Sequence, residues 1–441
     1  MANTNIVIPE ILVDRMLESN FEESHPHLYK SMRASHPSSF KAKLDLEFSG
    51  NKKREEVKVQ FCGLVCAPVN EGITSAVFLP LQALASKDTN LDTAKMTMQV
   101  IAKYLRNKKR IGKNGQEGSG DNWLSTIKSI ADDYTEYGIY SDRQRTRGRN
   151  NGKANWARTV VRETPLIGDA GNIVYTNVLT SRAQDDQDNL LTQTQVIVLR
   201  EIAAQHGWWL PNLSQNTSQF RGFQAERISP RLRLLKLEAL RPNLFSSRAI
   251  RLTKYLMNYL ERISHNGKSA QLFGLDDFHW VWERMLRDVL EDTEDGWNAK
   301  LPKPNFYKGL DSERDEGKKM MMDIVIVQGA NLIIVDAKYY AATTTKNSPS
   351  MYDISKQLMY ELAVRDMESE GGVPRDLSSC FVFPASSPNT GGKFTAIKMG
   401  YEFDRPTSKL PSINCYYMPI IEVMQAYLNN TKISLPNAHG S

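Results

Sequence analysis

Apolar and polar positions divide the chain into strand-like and helix-like stretches. Ile324-Val325-Ile326 and Leu332-Ile333-Ile334-Val335 are β-branched runs on either side of Gln328-Gly329-Ala330-Asn331, so the pattern predicts two antiparallel strands joined by a tight turn. Both runs are almost continuously apolar, which predicts a sheet covered on both faces. Similar reasoning predicts strands near residues 57–66, 76–79, 380–383 and 394–401. Helical periodicity predicts helices over 8–20, 91–107, 246–264 and 352–364, another over 188–206 stopped by Gly207, and a terminal helix around 420–428. The segment 278–286 is an amphipathic helix with Asp276 or Asp277 as its N-cap, and Trp208 and Trp209 are expected core anchors.

Against this apolar background three charged residues stand out. Asp336 and Lys338, two apart on one strand, share a face, while Val335 and Ala337 point the other way. Asp323, on the neighbouring strand, approaches Asp336 if the hairpin register allows. Two carboxylates in one site repel unless a cation lies between them, and hard oxygen ligands suit Mg²⁺, for which Mn²⁺ can substitute. Lys338 could then orient or deprotonate a water and offset charge developing on phosphate. Charges at a strand end serve equally well to protect an exposed edge, and a lone Asp-x-Lys leaves that reading open. Two helices add to the set. Gln357, Tyr360 and Glu361 share one face of the 352–364 helix, and Glu283 lies beside the aromatic stripe Phe278, Trp280, Trp282.

In this order, helix acid, strand acid, Asp-x-Lys and helix Gln, the region resembles the PD-(D/E)xK nuclease core. The resemblance implies a mixed sheet flanked by helices and Mg²⁺-dependent phosphodiester hydrolysis. It assigns Asp323 as first strand acid, Asp336 and Lys338 as the (D/E)xK pair, Glu283 as helix acid and Gln357 as helix glutamine, with Asp323, Asp336 and Glu283 binding metal. Met322 stands where the pattern has Pro, and Tyr360 follows Gln357 by three positions rather than four. Further upstream, 149–162 with Thr164-Pro165 resembles the G-x-x-x-W-x-x-T block of LlaJI-type restriction endonucleases and their McrC-like relatives, here Gly152, Trp156 and Thr159. Phe61 to Val65 and Ala76 to Pro80 are similar to that group's N-terminal strand pair. An ordinary core tryptophan is an equally good reading of Trp156.

Charge sharpens the picture. The net charge of +6 is modest, but it is unevenly spread. Lys108, Lys109 and Arg110 end a helix in a basic cluster. Arg143, Arg145, Arg147, Arg149, Lys153, Arg158 and Arg162 fall in a stretch without Asp or Glu. Between 221 and 254, nine basic residues, Arg231 and Arg233 among them, face only Glu226 and Glu238. Together these blocks predict a phosphate-binding track for double-stranded DNA.

Three regions are expected: a mixed α/β N-terminal part, 1–170, that binds DNA or a partner; a helical basic part, 171–265; and a nuclease part, 266–441. The fold class is α/β (α+β). Cys62, Cys66, Cys380 and Cys415 are scattered and without nearby His, which predicts buried free thiols rather than a zinc site. No apolar run reaches membrane-spanning length and no leader-like start is present, so a cytoplasmic protein with no membrane contact is expected. The chain contains no G-x-x-x-x-G-K-[ST] phosphate loop. The resemblance therefore implies, without requiring, a separate McrB-like AAA+ GTPase subunit, and two-strand cleavage calls for a homodimer. The expected function is a Mg²⁺-dependent DNA endonuclease of a restriction or phage-defence system. A non-catalytic DNA-binding or GTPase-stimulating subunit, or a nuclease acting on RNA or transposon ends, are the alternatives on the same fold.

Overall fold

The computed structural model describes residues 9–43, 56–69, 72–84, 90–110, 121–169, 171–186, 189–210, 213, 223, 226, 228–266, 270–307, 314–369, 375–387, 394–400 and 410–436. Among these residues two compact units are formed: one lies within 126–267, and the other combines residues from 9–125 with residues from 268 onward. The expected N-terminal region, 1–170, is thus shared between the units, and its first part folds with the C-terminal region.

The larger unit holds a four-stranded and a five-stranded sheet, besides the two-stranded ribbons Phe40–Lys43 with Glu56–Val59 and Asn305–Tyr307 with Arg314–Glu316. The first has strands β1 (Glu10–Val13), β2 (Cys62–Val69), β3 (Gly72–Leu79) and β4 (Gln271–Leu275) in the order β1-β3-β2-β4, with β1 parallel to β3 and the other pairs antiparallel. Residues 8–20 are not the expected helix. The short run Glu10-Ile11-Leu12-Val13 pairs with the apolar edge of β3, and helix begins only at Glu18–Ser24, so strand pairing overrides the local helical pattern. Phe21, Leu28, Met32, Val65 and Phe78 pack into the core on this sheet. At the β2–β4 crossing, Gly63 and Gly274 face each other; a Cβ on Gly274 would lie 2.1 Å from Cys62 O, so this close approach admits only glycine.

The second sheet contains the predicted hairpin. Its strands are β5 (Ile324–Gln328), β6 (Asn331–Ala337), β7 (Asp376–Ala385), β8 (Ala396–Ile397) and β9 (Ile413–Pro419), in the order β5-β6-β7-β9-β8. β5 and β6 are antiparallel and close through Gly329, whose φ of +61° suits the two-residue turn, while β6, β7 and β9 run parallel. This is the expected mixed sheet. Helix α1 (Met351–Ser369) makes the crossover from β6 to β7, and Tyr360 and Val364 on it pack with Leu332, Ile334 and Leu377. Helix α2 (Ile420–Asn429) follows β9 directly.

The helix carrying Glu283 runs from His279 to Val289, with Phe278 at its N-cap position and no capping side chain. Asp276 and Asp277, expected to cap it, are engaged elsewhere: Asp276 accepts the hydroxyls of Ser38 and Ser39, and Asp277 accepts Lys41 Nζ.

In the smaller unit, the stretch 171–265 adds the strands Ile173–Val174 and Leu179–Asp186 to its helices. A three-stranded sheet (Asp142–Arg149, Leu179–Asp186 and Lys153–Ala154) precedes the helices Leu190–His206, Pro230–Leu240 and Ser247–Asn266. Gly207 ends the first of these in ordinary helical geometry, φ −58°, while Trp208 and Trp209 are buried as expected. All four cysteines are free and buried. Among the described residues, no helix is long and apolar enough to cross a membrane.

Candidate active site

The β5–β6 register pairs Ile324 with Val335, so the next step outward sets Asp323 opposite Asp336. Asp323 Oδ2 accepts the Ala337 backbone N–H at 2.9 Å, which fixes its carboxylate at the sheet's end. Asp336 is buried, at 3% exposure. Burial, then the Asp336 and Glu283 carboxylates, push the Asp323 pKa up to about 7. Like charges opposed across a strand pair destabilise the sheet, so this arrangement has to be justified by something other than folding.

Lys338, on the Asp336 face, lies 2.7 Å from Asp336 Oδ2 and 2.6 Å from Asp353 Oδ1. Asp336 Oδ2 is thus a buried carboxylate oxygen that faces the Lys338 ammonium, and Lys338 bridges the strand acid to Asp353 on α1. Burial works against the Lys338 ammonium, but Asp336 and Asp353 outweigh it and hold its pKa above the ordinary value. A lysine kept charged in this way cannot serve as a general base. It supplies positive charge and N–H donors instead.

Asp353 and Lys356 are site residues that pattern reading missed. Asp353 caps the start of α1, accepting Ser350 N and Oγ at 3.1 and 2.6 Å, and so holds its other oxygen toward Lys338. Lys356, one turn on, comes within 3.6 Å of Asp336 Oδ1 and stacks its ammonium over the Tyr360 ring. The signal was present: Asp353, Lys356 and Gln357 have i, i+3, i+4 spacing on the helix that follows the Asp-x-Lys strand.

Gln357 is fully buried. Its Nε2 donates to Ile334 O at 2.9 Å and Cys380 O at 3.4 Å, so it ties the helix to β6 and β7 and orients the site from beneath. Tyr360 donates its hydroxyl to Met321 O, holding the chain two residues before Asp323. Glu283 faces Arg287 at 3.5 Å, and Arg287 in turn donates to Asp323 O. The helix acid thus reaches the site through its field on Asp323 and through an arginine.

Among the described residues, no group of three or more His, Cys, Asp or Glu side chains is arranged to hold a metal ion. Glu283, Asp323 and Asp336 therefore do not form a three-acid cage. The narrower pair Asp323 and Asp336 does fit a hard divalent cation: two opposed, largely buried carboxylates, one with its proton affinity raised by burial and by the other's charge.

The expected DNA-contact residues divide unevenly. Arg147, Arg149, Lys153 and Arg231 are exposed and Arg158 is half-buried, although Arg149 already pairs with Glu163 at 3.2 Å. The side chains of Lys108, Lys109, Arg110, Arg143 and Arg145 lie outside the described residues. Arg233 is a correction: it is 1% exposed and donates to Thr194 Oγ1 at 3.4 Å and to the Glu226 backbone carbonyl, so it belongs to the core of its unit and cannot reach phosphate. Trp156 is not a core tryptophan. It is 57% exposed, and Val160, Val161, Leu166, Ile167, Ile173 and Val174 are exposed around it in sequence.

The chain belongs to the LlaJI restriction endonuclease family, whose sequence profile matches residues 88–419. It also resembles a chain from a tetradecameric assembly of Thermococcus gammatolerans McrB AAA+ hexamers with bound McrC, at 13% identity and a TM-score of 0.42, with 96% of this chain and 99% of that one covered. A chain of the Thermococcus gammatolerans McrBC complex is similar at 12% identity and a TM-score of 0.30, covering 63% of this chain and 86% of the other. None of the curated proteins matches the chain.

Proposed function

We propose that the chain is a Mg²⁺-dependent endonuclease of a restriction system that hydrolyses phosphodiester bonds in double-stranded DNA. The observation that carries this reading is the meeting of Asp323, Asp336 and Lys338 at one end of a mixed sheet, with the Asp336 carboxylate buried and Lys338 2.7 Å from it. Asp323 and Asp336 would hold the divalent cation, which when bound polarises a phosphoryl oxygen and acidifies water. Lys338, kept protonated by Asp336 and Asp353, would face the negative charge that builds on the phosphoryl group in the transition state. Lys356 adds a second positive charge on the same side. Gln357 and Tyr360 keep α1 and the Asp323 strand in register, and Glu283 with Arg287 sets the field on Asp323.

Family membership supports the restriction role. The chain has no phosphate loop of its own, so nucleotide hydrolysis would come from a separate AAA+ GTPase chain. The exposed arginines and Lys153 would contact DNA phosphates, and two copies would serve the two strands.

The test is cleavage of duplex DNA by the purified protein with Mg²⁺, alone and with a neighbouring GTPase. Asp336→Ala and Lys338→Ala should abolish cutting while the proteins stay folded and bind DNA. Undiminished cleavage by both variants sinks the site assignment.

A further inference from the structure

Tyr339 follows Lys338 and leaves the sheet. Its ring is buried beside Phe278, with ring centroids 5.4 Å apart, and the Arg15 guanidinium lies over it at 5.1 Å. The hydroxyl is bonded twice at the end of the four-stranded sheet, to the turns just past β3 and β1: it accepts the Leu81 N–H at 2.7 Å and donates to Asp14 Oδ2 at 3.1 Å. Cys62 Sγ is 3.8 Å from the same oxygen, and the Phe61 N–H donates to Asp14 Oδ1 at 3.2 Å. Asp14, only 3% exposed, is a carboxylate that folding alone would avoid burying.

Backbone strain gathers around this one hydroxyl. Arg15, next to Asp14, has φ +65°, and Gln82, next to Leu81, has φ +67°. Left-handed conformations at non-glycine residues persist only where their surroundings over-determine them, and they concentrate at functional sites. On its other side Lys338 is held by its own N–H, which donates to Val382 O at 3.0 Å. The Lys338 backbone is therefore fixed between a rung to β7 and the Tyr339 anchor, and this fixes where its ammonium can reach.

We propose that Tyr339 is a positioning residue for Lys338, and that the Asp14–Tyr339–Leu81 link makes the N-terminal four-stranded sheet part of the cleavage apparatus. Asp14 and Leu81 precede residue 88, where the family match begins, so the family pattern does not account for them. The proposal rests on the nuclease reading, because positioning matters only if Lys338 acts on substrate.

The experiment has two arms. In the metal-free full chain, reductive methylation of Lys338 is followed by peptide mass spectrometry in wild type, Tyr339→Phe, Asp14→Asn and Leu28→Ala. The last removes core packing from the same sheet without touching Tyr339. Tyr339→Phe and Asp14→Asn should change the Lys338 rate, and Leu28→Ala should leave it at the wild-type value. In the cleavage arm, kcat should fall about tenfold or more for Tyr339→Phe with KM unchanged, as expected when a catalytic group is misplaced and binding is not. Unchanged Lys338 reactivity in both link variants overturns the proposal, as does an equal effect from Leu28→Ala. Failure of the wild type to cut would overturn the nuclease reading, and the methylation arm would still decide whether Tyr339 positions Lys338.

Discussion

Lys338 is shared between two carboxylates from different elements: Asp336 on its own strand, 2.7 Å away, and Asp353 on the following helix, 2.6 Å away. Asp353 is the only one of the two with no proposed role at the cation, so its removal isolates what the sharing does. Asp353→Asn should keep the Ser350 capping contacts but lower the Lys338 pKa and let its ammonium turn toward Asp336. The expected result is a loss in kcat of about ten- to a hundredfold, with Mg²⁺ affinity unchanged. Single-turnover cleavage beside metal titration checks it, and an unchanged kcat would show that Asp353 only caps the helix.

The opposition of Asp323 and Asp336 predicts how metal and stability are linked. Without divalent cation, Asp323→Asn removes a like-charge contact and should stabilise the protein by about 1 kcal/mol. Wild type should gain about 2.7 kcal/mol from Mg²⁺ at a hundred times its dissociation constant, and the variant should gain little. Thermal melts with and without Mg²⁺ decide this. Equal Mg²⁺ shifts in both proteins would remove Asp323 from the metal site.

The hairpin, its turn and the same-face placement of Asp336 and Lys338 could be read from sequence because they depend on local rules: β-branched runs, a glycine turn and the period of two. Glu283 and Gln357 were singled out by order along the chain, but the groups they bond were not. Gln357 faces two backbone carbonyls and Glu283 an arginine, partnerships that exist only after the sheet and helices pack. The strand at Glu10–Val13 was misread because its partner, β3, lies over sixty residues away and outweighs local periodicity. Arg233 shows the limit of charge counting: composition places it in a basic block, and tertiary packing buries it.

Asp14 predicts a pH dependence. Burial, opposed by Arg15, Tyr339, Cys62 and the Phe61 N–H, pushes its pKa from 3.8 up to about 6. A carboxyl whose folded pKa is raised binds its proton more tightly in the folded state. Its contribution is full below about pH 4 and is lost as pH rises through 6, by up to about 3 kcal/mol. Asp14→Asn cannot titrate, so the unfolding free energy of wild type relative to the variant should decline across pH 4 to 7 by that order. Urea denaturation of both proteins at several pH values checks the slope, and parallel curves would show that Asp14 is not the group responsible.

The basic residues of the smaller unit separate into two kinds, and DNA binding should tell them apart. Arg147 and Lys153 are exposed, so each should neutralise at most one phosphate; replacing either with Ala should lower the slope of log affinity against log salt by roughly 0.9. Arg233 is buried and bonded to Thr194 and the Glu226 carbonyl, and Arg233→Ala should remove a donor from each, leaving Thr194 its bond to Leu190 O and Glu226 O the Ile228 N–H, and should leave empty buried space. Its expected effect is a stability loss of about 1–3 kcal/mol from lost hydrogen bonds and packing, with the salt slope unchanged. Fluorescence anisotropy of a labelled duplex over a salt series, run beside thermal melts, reads both quantities. A changed salt slope for Arg233→Ala in a protein that melts like wild type would return Arg233 to the DNA-binding surface, and unchanged slopes for Arg147→Ala and Lys153→Ala would remove the strand and its neighbour from the phosphate track.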